Sequence, residues 1–128
     1  MGLFGKLFNK KSEPTFSKVK EEIRTLENQD GRIENPTKED LRDYLNCLFN
    51  EDDQFVTLTL AKAQNGIRYI QACFVDAKPI VQLGLEENDK TRLVEKTCLS
   101  NEECADIFFE FYDYGIVENL EEYQPVQF

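Results

Sequence analysis

Between Gln54 and Leu99, apolar and polar residues alternate through four consecutive runs, a pattern that few architectures accommodate. In the run 55–61, Val56, Leu58 and Leu60 alternate with Thr57, Thr59 and Ala61, the period of two imposed by a sheet with one buried face. Runs 67–75, 80–85 and 91–97 continue it, so Ile70, Ala72, Phe74, Val81, Leu83 and Leu85 are expected on the same side as Leu58 and Leu60. Asn65-Gly66 stands where a tight hairpin needs positive φ, and 76–79 and 86–90 supply the other turns. Connections this short join only antiparallel neighbours, so the runs predict a four-stranded β-meander. Ile67, Tyr69, Cys73 and Ile80 fall on its opposite face, which calls for cover by the N-terminal segment, by the protein's own helices, the commoner arrangement, or by a partner, and in the last case that side is a candidate interaction surface that includes Tyr69.

Helical periodicity brackets the meander. Phe16, Val19, Ile23 and Leu26 recur at intervals of three and four, predicting a first helix that ends at the turn 28–31, followed by a short extended piece at Arg32-Ile33-Glu34. Thr37 reads as the N-cap of a second helix with Asp40 completing a capping box and Leu41, Tyr44, Leu45 and Leu48 as its buried stripe. Ser100 and Glu103 form another capping box for a last helix that runs to Tyr114 and stops at Gly115, burying Cys104, Ile107, Phe108 and Phe111. The expectation is an α+β fold: two N-terminal helices, a four-stranded antiparallel β-meander and a C-terminal helix packed on the sheet. Residues 16–128 form its single domain, and 1–15 a basic amphipathic segment.

Composition narrows the chemistry. The chain has no histidine, which removes the usual general base near neutral pH and the Ser-His and Cys-His nucleophile pairs. No cofactor motif, metal-ligand spacing or paired-carboxylate arrangement takes their place, so a non-enzymatic protein without cofactor or metal is expected. The net charge of −10 opposes nucleic-acid backbones and anionic lipid and favours basic protein partners through long-range steering. Cys47, Cys73, Cys98 and Cys104 lie in or beside apolar runs without CxxC spacing, and the apolar start is broken by Lys6, unlike a secretory signal. Reduced thiols and a cytoplasmic location follow as expectations.

Leu3, Phe4, Leu7 and Phe8 share one helical face, and residues 1–20 carry five lysines against one acid. Such a segment suits a membrane surface, a terminus without fixed structure, or packing on its own domain or a second copy; ordering it costs about what burying four side chains returns, which favours the non-membrane readings.

The candidate partner contacts are acidic. Glu103, Asp106, Glu110 and Asp113 follow at intervals of three, four and three, a carboxylate stripe on one face of the last helix. Asp113 and Glu110 fall in its final turns, where the helix dipole disfavours negative charge, and no lysine or arginine follows Lys96 in the chain. Glu51, Asp52 and Asp53 form a second cluster, which lacks the alternation and central glycine of a calcium loop.

Asn35-Pro-Thr-Lys-Glu-Asp-Leu41 before a helix, Phe55-Val-Thr-Leu58, Tyr69-Ile-Gln-Ala72 and a capped helix ending Phe109-Glu-Phe-Tyr112 together resemble the small bacterial immunity proteins of polymorphic toxin systems and related uncharacterised proteins. The resemblance spans about 33–115. It implies a cytoplasmic inhibitor that binds a cognate toxin and blocks it by occlusion, and nuclease toxins of that kind are usually basic. An acidic secretion chaperone or adaptor, also small and α+β but normally dimeric, is the alternative reading.

Overall fold

The structure, a computed structural model, describes residues 24–50 and 54–126. One antiparallel sheet of seven strands dominates it, in the order β2-β1-β3-β4-β5-β6-β7. The strands are β1 (Arg24–Asn28), β2 (Gly31–Glu34), β3 (Phe55–Gln64), β4 (Ile67–Val75), β5 (Lys78–Glu87), β6 (Lys90–Thr97) and β7 (Gln124–Pro125). Helices α1 (Lys38–Asn50) and α2 (Asn101–Tyr114) both lie on one face.

This architecture overturns the expectation of two N-terminal helices and a four-stranded sheet. Of the predicted first helix, 16–23 lies outside the described residues, and the remainder is strand. Leu26 fits a helical period and a strand period equally well, and the pairing partner decides between them. Asn28 accepts hydrogen bonds through its side-chain oxygen from the N–H groups of Asp30 (2.9 Å) and Gly31 (3.1 Å), folding the chain back so that β1 pairs with β2. The other edge of β1 pairs with β3 and sets Leu26 opposite Leu58, fully buried. Tertiary pairing over some thirty residues thereby outweighs a local helical spacing. At the far edge the tail, whose spaced Leu120, Tyr123 and Val126 read as a last extended piece, adds β7 beside β6.

Three of the hairpins turn on two residues with positive φ: Asn65-Gly66, Asp76-Ala77 and Asn88-Asp89. Positive φ at both central positions is the turn geometry whose twist matches that of the flanking strands, and it holds β3 to β6 in antiparallel register. Leu26, Leu58, Ile70, Leu83 and Val94 therefore stand side by side across five strands, all buried. Onto this row α1 places Leu41, Leu45 and Leu48, and α2 places Cys104, Phe108 and Phe111.

Both helices start as their capping residues require. Asp40 N–H donates to Thr37 Oγ1 (3.0 Å) while Thr37 N–H donates to the Asp40 carboxylate (2.9 Å). At α2 the Glu103 N–H donates to Ser100 Oγ (3.0 Å), and Gly115 closes the helix at φ 68° with its N–H on the Phe111 carbonyl. Between the helices, Arg24 stacks 3.9 Å over the Tyr112 ring and donates to the Tyr112 carbonyl (2.7 Å), while the Tyr112 hydroxyl donates to the Pro36 carbonyl (2.9 Å).

On the opposite face, polar side chains at matching register form a file. The Thr57 hydroxyl donates to Gln71 Oε1 (2.7 Å), the Gln71 amide to Gln82 Oε1 (3.1 Å), and the Gln82 amide to Glu95 Oε1 (3.0 Å). Beside it the Tyr69 ring covers Gly84, where a Cβ would lie 2.1 Å from the ring; a side chain there has no room.

Among the described residues with positive φ, Ala77 (φ 65°, exposed) is the one that is neither Gly, Asn nor Asp, the residue types that tolerate this region. An L-residue in the left-handed region costs about 1–2 kcal/mol, and glycine's freer unfolded chain offsets about 0.4–1 of it. Ala77→Gly should therefore raise stability by about 0.5–1 kcal/mol, read as a higher denaturation midpoint at unchanged slope.

Candidate functional site

The carboxylates of α2 are not one uninterrupted stripe in space. Asp113 pairs with Lys38 of α1 at 2.7 Å. Glu103 is held from two sides: the Leu99 N–H donates to it at 2.6 Å, and Lys96 Nζ lies 3.0 Å from its other oxygen. The carboxylate reaches one residue further back than a simple capping box would take it, and these bonds, the backbone one foremost, lower its pKa. Lys96 also meets Glu122 at 2.7 Å, so one ammonium ties β6, the first turn of α2 and the tail together. Its hydrogen bonds, to Glu122 first, raise its pKa and keep it charged.

What remains is a recess. After Gly115 the chain buries Val117, turns at Asn119 with φ 57°, makes a 3-10 turn at Leu120–Glu122 and buries Tyr123 before joining β6 as β7. This return path runs beside α2 and leaves an open hollow of about 220 Å³. Glu103, Asp106, Ile107 and Glu110, at helical spacing, form one wall; Glu118, Asn119 and Tyr123 form the other, with Lys96 also in the lining. Lys96 is the lining's single cation, and it is already shared between Glu103 and Glu122. Asp106 and Glu118 are exposed, and Glu110 is half-buried. Burial, then the Glu118 carboxylate, raises the pKa of Glu110, against a hydrogen bond from the Glu118 backbone N–H. Among the described residues, Glu110 and Glu118 are thus adjacent negative charges without a cation between them.

The other candidate contacts lie elsewhere. Tyr69 sits on the far face of the sheet, over Gly84. Glu51, Asp52 and Asp53 lie outside the described residues, as do Leu3, Phe4, Leu7 and Phe8. Sequence spacing brings Glu103, Asp106 and Glu110 together correctly but misses Glu118, Lys96 and Tyr123, whose approach depends on the path of the tail. The αL stop at Gly115 is the available signal that the chain reverses there.

Behind the recess, Cys98 and Cys104 are buried as free thiols and hydrogen-bond to each other, which lowers the pKa of Cys98 and raises that of Cys104. Cys47 is exposed and Cys73 half-buried. Among the described residues, no group of three or more cysteine or acid side chains is placed to hold a metal ion, and no helix is long and apolar enough to cross a membrane.

Glu103 and Glu110 titrate in opposite senses. Glu103 adds stability above the normal glutamate range, lost as pH falls through its lowered pKa; Glu110 takes a proton more readily folded than unfolded, so its contribution is lost as pH rises through its raised pKa. Glu110→Gln should therefore stabilise the protein at neutral pH by roughly 0.2–0.5 kcal/mol, the scale of one relieved like-charge pair. That gain should vanish below about pH 4, where the native carboxyl is protonated. Thermal denaturation across pH checks both halves.

Compared with known proteins, the chain matches no family model, no curated protein and no solved structure.

Proposed function

We propose that this is a non-catalytic binding protein that holds a basic protein partner against the acidic side of α2, inhibiting it by occlusion as the immunity proteins it resembles inhibit their toxins. The observation that carries this reading is the recess itself: Glu103, Asp106, Glu110 and Glu118 converge with Lys96 as the one cation in the lining. Isolated, the arrangement is slightly unfavourable, because Glu110 is partly buried and, second to that, repelled by the Glu118 carboxylate. A partner's cation placed there would relieve the repulsion, so the strain favours association. The charge of −10 would add steering, and the contact would weaken with salt.

Affinity capture from the native cell with wild type and with the double variant Asp106→Lys/Glu110→Lys tests the proposal. The expected result is a basic protein whose affinity drops at least roughly tenfold, about 1.4 kcal/mol, on the double reversal and falls with salt. Reversing Glu39 and Asp43, exposed acids of α1, should leave it within about twofold. Equal sensitivity to both reversals, or a partner bound independently of either, would sink the proposal.

A further inference from the structure

Cys98 and Cys104 are reactive groups that the acidic recess does not use. Both are free and buried, and their thiols are hydrogen-bonded to each other. The capping turn of α2 brings them together. Ser100 is the N-cap, so Cys98 stands two residues before it and Cys104 closes the first turn, its N–H donating to the Ser100 carbonyl (3.3 Å). The approach to the cap is fixed as well: the Cys98 N–H donates to the Pro79 carbonyl (2.8 Å) and the Leu99 N–H to Glu103 (2.6 Å). An apolar residue just before an N-cap often packs back on the fourth residue of the helix. Here that residue, Leu99, is 96% exposed, and the Cys98 thiol meets Cys104 instead.

The two sulfurs are not equivalent. The Cys104 S–H donates to Cys98, and this bond lowers the pKa of Cys98 against burial, while Cys104 keeps its proton, its pKa raised by the same bond and then by burial. A helix N-terminus favours a thiolate beside it in the same sense. An attacking sulfur next to a resolving one is the arrangement of redox-sensing cysteines. Tyr123 completes the cluster. Its hydroxyl is buried without a hydrogen-bond partner among the described residues, and burial first, then the Cys98 thiol, raises its pKa. Buried hydroxyls are almost always bonded, so a donor is left over beside Cys98. The tail that carries Tyr123 is lightly held: β7 pairs with β6 at Val94 and Glu95 alone, next to the Val126 N–H on the Leu93 carbonyl (3.0 Å) and the Lys96–Glu122 ion pair. So short an element opens locally at lower cost than the strands behind it.

We infer that Cys98 and Cys104 are a redox modification site that hydrogen peroxide converts to a disulfide when the tail opens, Cys98 attacking, Cys104 resolving and the Tyr123 hydroxyl donating to the oxygen that Cys98 gains. In the first step the Cys98 sulfur attacks one peroxide oxygen: an S–O bond forms, the O–O bond breaks, and the departing hydroxide takes the Cys98 proton and leaves as water. The Cys104 sulfur then attacks that of Cys98: the S–S bond forms, the S–O bond breaks, and hydroxide leaves as water with the Cys104 proton. The sulfurs together lose the two electrons that the peroxide gains. The bond ties the end of β6 to the first turn of α2 and locks the corner from which Lys96 and Glu103 line the recess. This site does not depend on what the protein binds.

The test treats the reduced full chain with hydrogen peroxide at neutral pH without denaturant. Cleavage after Glu102 or Glu103 should leave the peptides carrying Cys98 and Cys104 joined, and dithiothreitol should separate them. Cys104→Ser should stop at a sulfenic acid on Cys98, trapped by dimedone, whereas Cys98→Ser should give neither adduct nor bond. Tyr123→Phe should slow disulfide formation several-fold while holding or raising the melting temperature, because it deletes an unsatisfied buried hydroxyl. Amide hydrogen exchange at 99–105 should slow in the oxidised protein. Cys98 and Cys104 still present as thiols once exposed Cys47 is oxidised, or joined only in denaturant, would overturn the site; this peptide map needs no variant, so it decides even where a serine variant fails to fold. Dimedone trapping on Cys104 in Cys98→Ser would overturn the assignment of roles, an unchanged rate in Tyr123→Phe the part given to the hydroxyl, and unchanged exchange the lock.

Discussion

One-sided burial of the sheet is the constraint on which the molecule depends. Leu26, Leu58, Ile70, Leu83 and Val94 form an apolar row five strands wide, and a row of that width must be roofed. Two helices suffice because each presents a narrow stripe, with Phe108 and Phe111 supplying the bulk over the centre and Leu41, Leu45 and Leu48 extending the cover. A slip of one residue in any pairing would send one strand's contribution to the other side. The paired positive-φ turns are therefore as much a part of the core as the leucines they align.

The same roofing explains why the acidic recess lies where it does. Once α2 is fixed by Phe108 and Phe111, its remaining residues must face outward or along the sheet edge, and Glu103, Asp106 and Glu110 face the edge where the tail returns. Lys96 organises this corner. Reaching from β6 to Glu103 and Glu122, it neutralises one end of the acidic run and pins the tail. The ion pair is only partly exposed, so it is screened less than an ordinary surface pair. Glu110 and Glu118, farther along, receive no such help.

Much of the centre is legible from residue order, because its signals are local. The alternation in Val56, Leu58 and Leu60 and the Asn65-Gly66 turn report on neighbours only a few residues away, and the capping boxes at Thr37 and Ser100 are complete within four residues. The edges are legible only in part: Arg32-Ile33-Glu34 reads as extended and is the edge strand β2, but β1 does not read as a strand. Leu26 satisfies two periodicities, and its strand partner at Leu58 lies far along the chain. The site shows the same division. Helical spacing groups Glu103, Asp106 and Glu110, yet it cannot show that Lys38 removes Asp113 from the group or that Lys96 anchors Glu103, since both cations come from other elements. Glu118 and Tyr123 enter only through the fold of the tail.

The file of side chains on the open face has one sense of direction. Glu95, as a carboxylate, only accepts hydrogen bonds, so Gln82 must turn its NH2 toward it and its oxygen toward Gln71, which in turn takes its place as acceptor for Thr57. Every amide dipole in the row is thereby aligned from β3 toward β6, each polarising the next. A single acid at the end of the row thus acts as a polariser for the whole surface. Removing its charge would leave two nearly equivalent orientations of the amides, and the face would lose its handed electrostatic pattern without the movement of a single backbone atom.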